Sequence, residues 1–263
     1  MAQKLNIVLL GSGNVATQLA LALKQRNCNI LSIYSKTIAN ARTLASKVQS
    51  KATSTLTQLP QNADVYIVAV KDDAIEELLT NLDFEPGLIV HTSGSVSSSV
   101  FTTKFPNYGV MYPLQTFSKT RSIDFEKVPI LIEANSTKSL KLIRRLALLL
   151  SKNTVVINSE QRKAVHIAAV FACNFTNHMY AISECLLQQQ NLPFSLLHPL
   201  IQETATKAQK SSPPFLQTGP AIRKDKKVMN QHLSFLKNEE GFKKIYTLVS
   251  KSIVDFTNRN EGK

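Results

Sequence analysis

The segment from Leu5 to Ala16 constrains the fold of this chain more than any other. A short run of Ile7, Val8, Leu9 and Leu10 meets Gly11-Ser12-Gly13-Asn14-Val15-Ala16, and a series with helical spacing follows. A continuous apolar run of this length marks a strand buried on both faces. The turn after it reads G-x-G-x-x-A. The first glycine permits a tight turn, the second lets the backbone approach a bulky anion, and small Ala16 lets the next helix pack on the sheet. The motif carries weight because it sits between a strand and a helix.

The same alternation continues. Strands are expected at 5–10, 30–34, 65–70, 88–91, 109–112, 130–133 and 154–157. Helices are expected between them at 14–26, 38–48, 73–81 and 137–150. Strands alternating with helices make βαβ units, and βαβ units make parallel sheets. Residues 1–158 are therefore expected to form an α/β, Rossmann-like, doubly wound parallel sheet. After Asn158 no strand pattern remains. A helix is expected over 159–190, then others at 194–210, 227–236 and 239–256, so that 159–263 reads as an all-α domain.

With 43% hydrophobic and 19% charged residues, the chain can bury an ordinary core. Lys4 and the run after it resemble a secretory signal, but glycines end the run too soon. No stretch has the apolar length of a membrane span. Cys28, Cys173 and Cys185 have no metal-ligand spacing, so no metal is expected. Free thiols fit a reducing, cytoplasmic setting. The net charge of +13 raises nucleic acid as a partner, yet the lysines are dispersed, tryptophan is absent and no aromatic-basic stacking motif appears. An anionic small ligand accounts for part of the bias.

In the G-x-G-x-x-A context that ligand is a dinucleotide, its pyrophosphate on the free N–H groups of the helix start. A site for NAD carries Asp or Glu at the end of the second strand. Here Ser35, Lys36 and Thr37 stand there, with Arg42 one turn on, a set that attracts a 2′-phosphate. NADP is the expected cofactor. Ala69-Val70-Lys71 and His91-Thr92-Ser93 end two further strands, at the sheet edge where such ligands lie. His91 and Ser93 are candidates for the nicotinamide end.

Several phrases carry a family resemblance: Gly11–Ala16, residues 91–95 (His-Thr-Ser-Gly-Ser), residues 111–117 (Met-Tyr-Pro-Leu-Gln-Thr-Phe), and His166 through Asn174. On these the chain resembles the 6-phosphogluconate-dehydrogenase-like superfamily, near pyrroline-5-carboxylate reductase and the deazaflavin-dependent NADP reductases. It is still more similar to a bacterial group joining a Rossmann-like domain to a helical C-terminal domain of unknown function. The resemblance implies a hydride-transferring enzyme, dimeric through its helical domain, with its active site in the interdomain cleft. Two departures from related dehydrogenases bear on the chemistry. β-Hydroxyacid dehydrogenases carry G-x-x-x-K-x-x-x-N on the long helix, where this chain has Ala169, Cys173 and Asn177. Prephenate dehydrogenases carry His-Pro where this chain has Tyr112-Pro113.

On the long helix His166 and Asn174 are polar interruptions on neighbouring faces. His166 is a candidate proton carrier, since imidazole titrates near neutral pH, and Asn174 a candidate hydrogen bond to substrate. The competing reading makes both structural polar residues at a dimer seam. Arg223 and Lys224, after the Gly219-Pro220 turn, suit an anionic substrate group. The expected function is NADP-dependent hydride transfer to or from a small, anionic imine or carbonyl compound by a homodimer. The alternative is a non-catalytic NADP sensor of the same fold.

Overall fold

The computed structural model describes residues 4–101 and 104–261. The chain divides into two compact units, Met1–Asn174 and Phe175–Lys263. In the first, β1 (Asn6–Leu10), α1 (Asn14–Gln25), β2 (Asn29–Tyr34), α2 (Ile38–Val48) and β3 (Lys51–Thr53) open the sequence. β4 (Val65–Val68), α3 (Ile75–Thr80), β5 (Ile89–His91) and β6 (Tyr108–Pro113) follow, then β7 (Ile130–Ala134), α4 (Thr137–Leu150) and β8 (Thr154–Val156). The strands form one sheet in the order β3-β2-β1-β4-β5-β6-β7-β8. A doubly wound, parallel-dominated sheet is what the alternating pattern requires.

Period-2 geometry explains the apolar strands. Along β1, Ile7 and Leu9 join a core with Leu19, Leu23, Leu44 and Ile143 from α1, α2 and α4. Val8 and Leu10 face the opposite core, with Tyr66, Ile75, Leu79 and Phe101. Ile7, Val8, Leu9 and Leu10 are all fully buried. A strand so placed has no polar face to show.

Two features differ from the sequence expectation. The edge strand β3, whose Lys51, Ala52 and Thr53 pair with Ser32, Ile33 and Tyr34, carries no apolar run to announce it. And β6 pairs with β7 antiparallel, Val110 opposite Glu133. A parallel return needs a crossover helix. Between Pro113 and Ile130 the chain has only a single 3₁₀ turn (Phe125–Lys127), so it doubles back.

After β8 comes α5 (Ser159–Ala169), capped by a reciprocal pair in which Asn158 Oδ1 accepts the Gln161 N–H and Gln161 Oε1 accepts the Asn158 N–H. The helix expected over 159–190 does not run on unbroken. A π-helical segment, Val170–Phe175, interrupts it before α6 (Thr176–Gln188). The expected boundary at 158 marks where strand patterning stops, but the compact units divide later, inside this helix. The physical reason is Arg162, on the first turns of α5. Its side chain is 1% exposed, pairs with Glu133 of β7, and donates to the Val96 carbonyl and to Ser159 Oγ. Glu133 also accepts from Ser98 Oγ at 2.7 Å and Ser159 Oγ at 3.0 Å. This buried cluster ties α5 to the sheet. Breaking such a pair by deleting one partner costs about 3–5 kcal/mol.

The second unit contains α6, α7 (His198–Lys210), α8 (Lys226–Phe235) and α9 (Glu240–Glu261), and no strand among its described residues. Pro199 opens α7 and Asp225 caps α8, its Oδ1 accepting the Val228 N–H. No helix among the described residues is long and apolar enough to cross a membrane.

Candidate functional site

The strand order reverses beside β1: β2 and β3 lie on one side of it, β4 and β5 on the other. Ligands of open α/β sheets bind outside the carboxyl ends of the strands at such a switch point. Gly11 turns the chain out of β1 there. Its φ is +134°, and a Cβ on it would lie 2.2 Å from the Ala69 carbonyl oxygen at the end of β4. No other residue fits. Gly13 is a different case: with φ −74° and ψ −169° its backbone suits any residue, and no atom lies within 4 Å of where a Cβ would stand. As N-cap of α1 it has no side chain to cap the first N–H groups, and no acid occupies the first turn. Those N–H groups have no intrahelical partner and favour an anion. The space over Gly13 and the bare helix start fit a dinucleotide pyrophosphate.

A cleft of about 580 Å³ opens at this edge, within the usual range of small-ligand pockets. Gly11, Ser12, Gly13, Asn14, Val15, Ser35, Lys36, Ala69, Val70, Lys71, Thr92, Ser93 and His166 all line it. Tyr34, Asp72, Ala74, Leu78, Gly94 and Tyr112 complete the wall. Ala16 lies instead in the core, where it packs α1 on the sheet. Thr37, the N-cap of α2, is exposed and outside the lining, and Arg42 is exposed on α2. Ser93 lines the cleft while its Oγ accepts the Ser95 and Val96 N–H groups, which shapes the turn after β5.

The three candidate catalytic residues part company. His91 is fully buried, stacked on Phe101 at 5.4 Å, and its Nδ1 accepts the Ser93 N–H. Burial, helped by the nearby Arg162 guanidinium, lowers its pKa to about 3. It is a neutral core imidazole that does not reach the cleft. Asn174 is exposed and absent from the lining. It stands in the π-helical segment Val170–Phe175, not in the regular α-helix that the expectation of neighbouring faces assumed. His166 does line the cleft, and its Nδ1 lies 3.0 Å from Tyr112 Oη. The rings meet edge to face at 5.9 Å. Burial, with Asp72 adding to it, raises the Tyr112 pKa, so the phenol stays protonated at neutral pH. Gly94 makes room for the pair, since a Cβ there would stand 2.5 Å from His166 Nδ1.

At the end of β2, Ser12 Oγ donates to Ser35 Oγ at 2.9 Å, joining the turns after β1 and β2. Lys36 Nζ reaches both carboxylate oxygens of Glu77, on α3, at 2.9 Å.

Comparison with known proteins accords with this edge. Residues 6–93 match the family described as "NADP oxidoreductase coenzyme F420-dependent", and residues 128–253 match a domain of unknown function, DUF2520. A "putative NADP oxidoreductase" from Bacteroides fragilis is 45% identical over 96% of this chain and 98% of its own, with a TM-score of 0.91. The chain belongs to this family of NADP-oxidoreductase-like proteins with a DUF2520 domain. A protein from Thermotoga maritima is 25% identical over 96% of this chain and 99% of its own, at a TM-score of 0.79. A pyrroline-5-carboxylate reductase from Coxiella burnetii shares the fold, at 15% identity, 98% coverage of both chains and a TM-score of 0.58. Among curated proteins no sequence matches.

Sequence reasoning missed the parts that long-range contacts bring in: Glu77 opposite Lys36, Arg162 with Glu133, and the pairing of Tyr112 with His166. One signal was available, since Arg162 and His166 are four residues apart and so share a helix face. The two glycines make a test of the turn. Gly11→Ala should lower the thermal midpoint clearly, because the residue is strained and clashes. Gly13→Ala should leave the midpoint near wild type yet weaken dinucleotide binding about ten-fold or more, read by calorimetry. Intact binding in Gly13→Ala would remove the pyrophosphate from this turn.

Proposed function

We propose that this chain is an NADP-dependent oxidoreductase acting on a small, anionic imine or carbonyl compound, and that it works in the cytoplasm as a homodimer. The observation that carries the enzymatic reading is the Tyr112 Oη–His166 Nδ1 hydrogen bond, in the same cleft as the glycine turn. When bound, the nicotinamide supplies or accepts the hydride, and a matching proton must reach the substrate nitrogen or oxygen. Tyr112 holds such a proton on Oη. His166 Nδ1 sits within hydrogen-bond distance to replace it. Arg162, one turn earlier on α5, acts as a positioning residue that holds His166 against Tyr112. Lys71 and Lys36 on the cleft wall favour anions. On this reading Ser35 and Lys36 face the 2′-phosphate, so NADPH binds at least about ten-fold tighter than NADH, or about 1.4 kcal/mol. Calorimetric titration of both dinucleotides measures this, and a preference for NADH would refute it.

Turnover is tested by NADPH oxidation against imines, 2-oxo acids and deazaflavins; binding without turnover on any of them would leave the sensor reading. With a substrate in hand, His166→Ala should lower kcat on the order of 10²-fold with NADPH affinity little changed. A variant that loses stability at unchanged specific activity would make His166 structural.

The homodimer proposal rests on apolar side chains of the helical unit: Leu200, Phe215, Phe235, Leu248 and Phe256 are each more than half exposed. Exposed apolar residues on such a scale mark an interaction surface. Sedimentation at micromolar concentration should give twice the mass of the chain, and a monomer there would overturn the proposal.

A further inference from the structure

We infer that Glu77 sets how far this site discriminates between a 2′-phosphate and a free ribose diol, an inference that rests on the dinucleotide reading above. By its sequence the end of β2 has no carboxylate. The fold supplies one from elsewhere: Glu77 is on α3, and its two oxygens each lie 2.9 Å from Lys36 Nζ. Its neighbours Ala74 and Leu78 line the cleft, as do Ser12, Ser35 and Lys36. The Glu77 hydrogen bond is the largest influence on Lys36 and raises its pKa, with Tyr34 and Asp73 acting in the same direction.

The charge balance at this corner therefore differs from the one a lone lysine would create. An ammonium is a compact charge with three donors, and Glu77 engages it through both oxygens. A 2′-phosphate arriving at Lys36 must displace that carboxylate or share the lysine with it, like charge beside like charge. A ribose diol meets no such repulsion, and a carboxylate accepts hydroxyl hydrogen bonds. Glu77 thus works against the phosphate and holds the preference for NADPH below what Lys36 would give alone. Both side chains are mostly exposed, 64% for Lys36 and 59% for Glu77, so water and salt screen the pair and the effect is several-fold.

The test is calorimetric titration of the full-length protein with NADPH and NADH, reading the ratio of the two affinities. Glu77→Gln keeps the size and helix propensity of the residue and removes the charge. It should raise the NADPH-to-NADH affinity ratio about three- to five-fold, with an unchanged thermal midpoint. Glu77→Ala should move the ratio the same way, which separates loss of charge from any hydrogen bond the glutamine retains. A ratio that stays put, or falls because Glu77 orients Lys36 toward the phosphate, overturns the inference. A wild type that prefers NADH would end the NADP reading, while a rise in the ratio on Glu77→Gln would still support the role of Glu77. If neither dinucleotide binds the wild type, both fall together.

Discussion

The buried pair between Arg162 and Glu133 is the interaction on which the site depends. A guanidinium 1% exposed is costly unless a carboxylate and further acceptors meet it. Glu133, the Val96 carbonyl and Ser159 Oγ answer its two terminal nitrogens, while Nε is buried without a partner. The three partners come from β7, from the loop after β5 and from α5 itself, so one side chain joins the sheet to the helix that follows it. His166 is one helical turn beyond Arg162, on the same face. Its place beside Tyr112 of β6 is a consequence of where Arg162 is held. The same guanidinium also disfavours charge on His91, which helps keep that imidazole neutral beneath the site.

The cleft combines a rigid glycine turn with a hydrogen-bonded side-chain pair. Gly11 is locked by its positive φ and by contact with Ala69, so the turns after β1 and β4 approach as closely as backbones can. Gly13 and the uncapped start of α1 leave room and unpaired N–H groups for a phosphate. The same cleft holds the hydrogen-bonded pair of Tyr112 and His166, for which Gly94 makes room. The lysine of the hydroxyacid dehydrogenases has no counterpart at Cys173, and that position is exposed in the π-helical segment.

Much of the fold was legible because the sheet is buried on both faces. Strands such as β1 and β4 must be apolar throughout, and that pattern shows in the sequence. β3 was invisible for the converse reason: a three-residue edge strand has little to bury. The antiparallel turn from β6 to β7 was hard to read because nothing in the strands themselves sets their direction; only the missing crossover helix does. The π-helical segment escaped because periodicity assumes one helical geometry. Asn174 stands in that segment, exposed and outside the lining of the cleft.

The sequence by itself determined the local devices: the glycine turn, the apolar strands, the helix that opens at Asn158, and the absence of a carboxylate at the end of β2. These are set by residues near one another along the chain, where backbone sterics and side-chain periodicity act directly. Tertiary structure alone decided which charges and protons meet. Glu77 reaches Lys36 across 41 positions, and Tyr112 reaches His166 across 54. The absence of an acid after β2 is a fact of sequence, but the absence of an acid at Lys36 is not. Electrostatics depends on distance in space, and the fold brings a carboxylate of α3 to within 2.9 Å of that lysine.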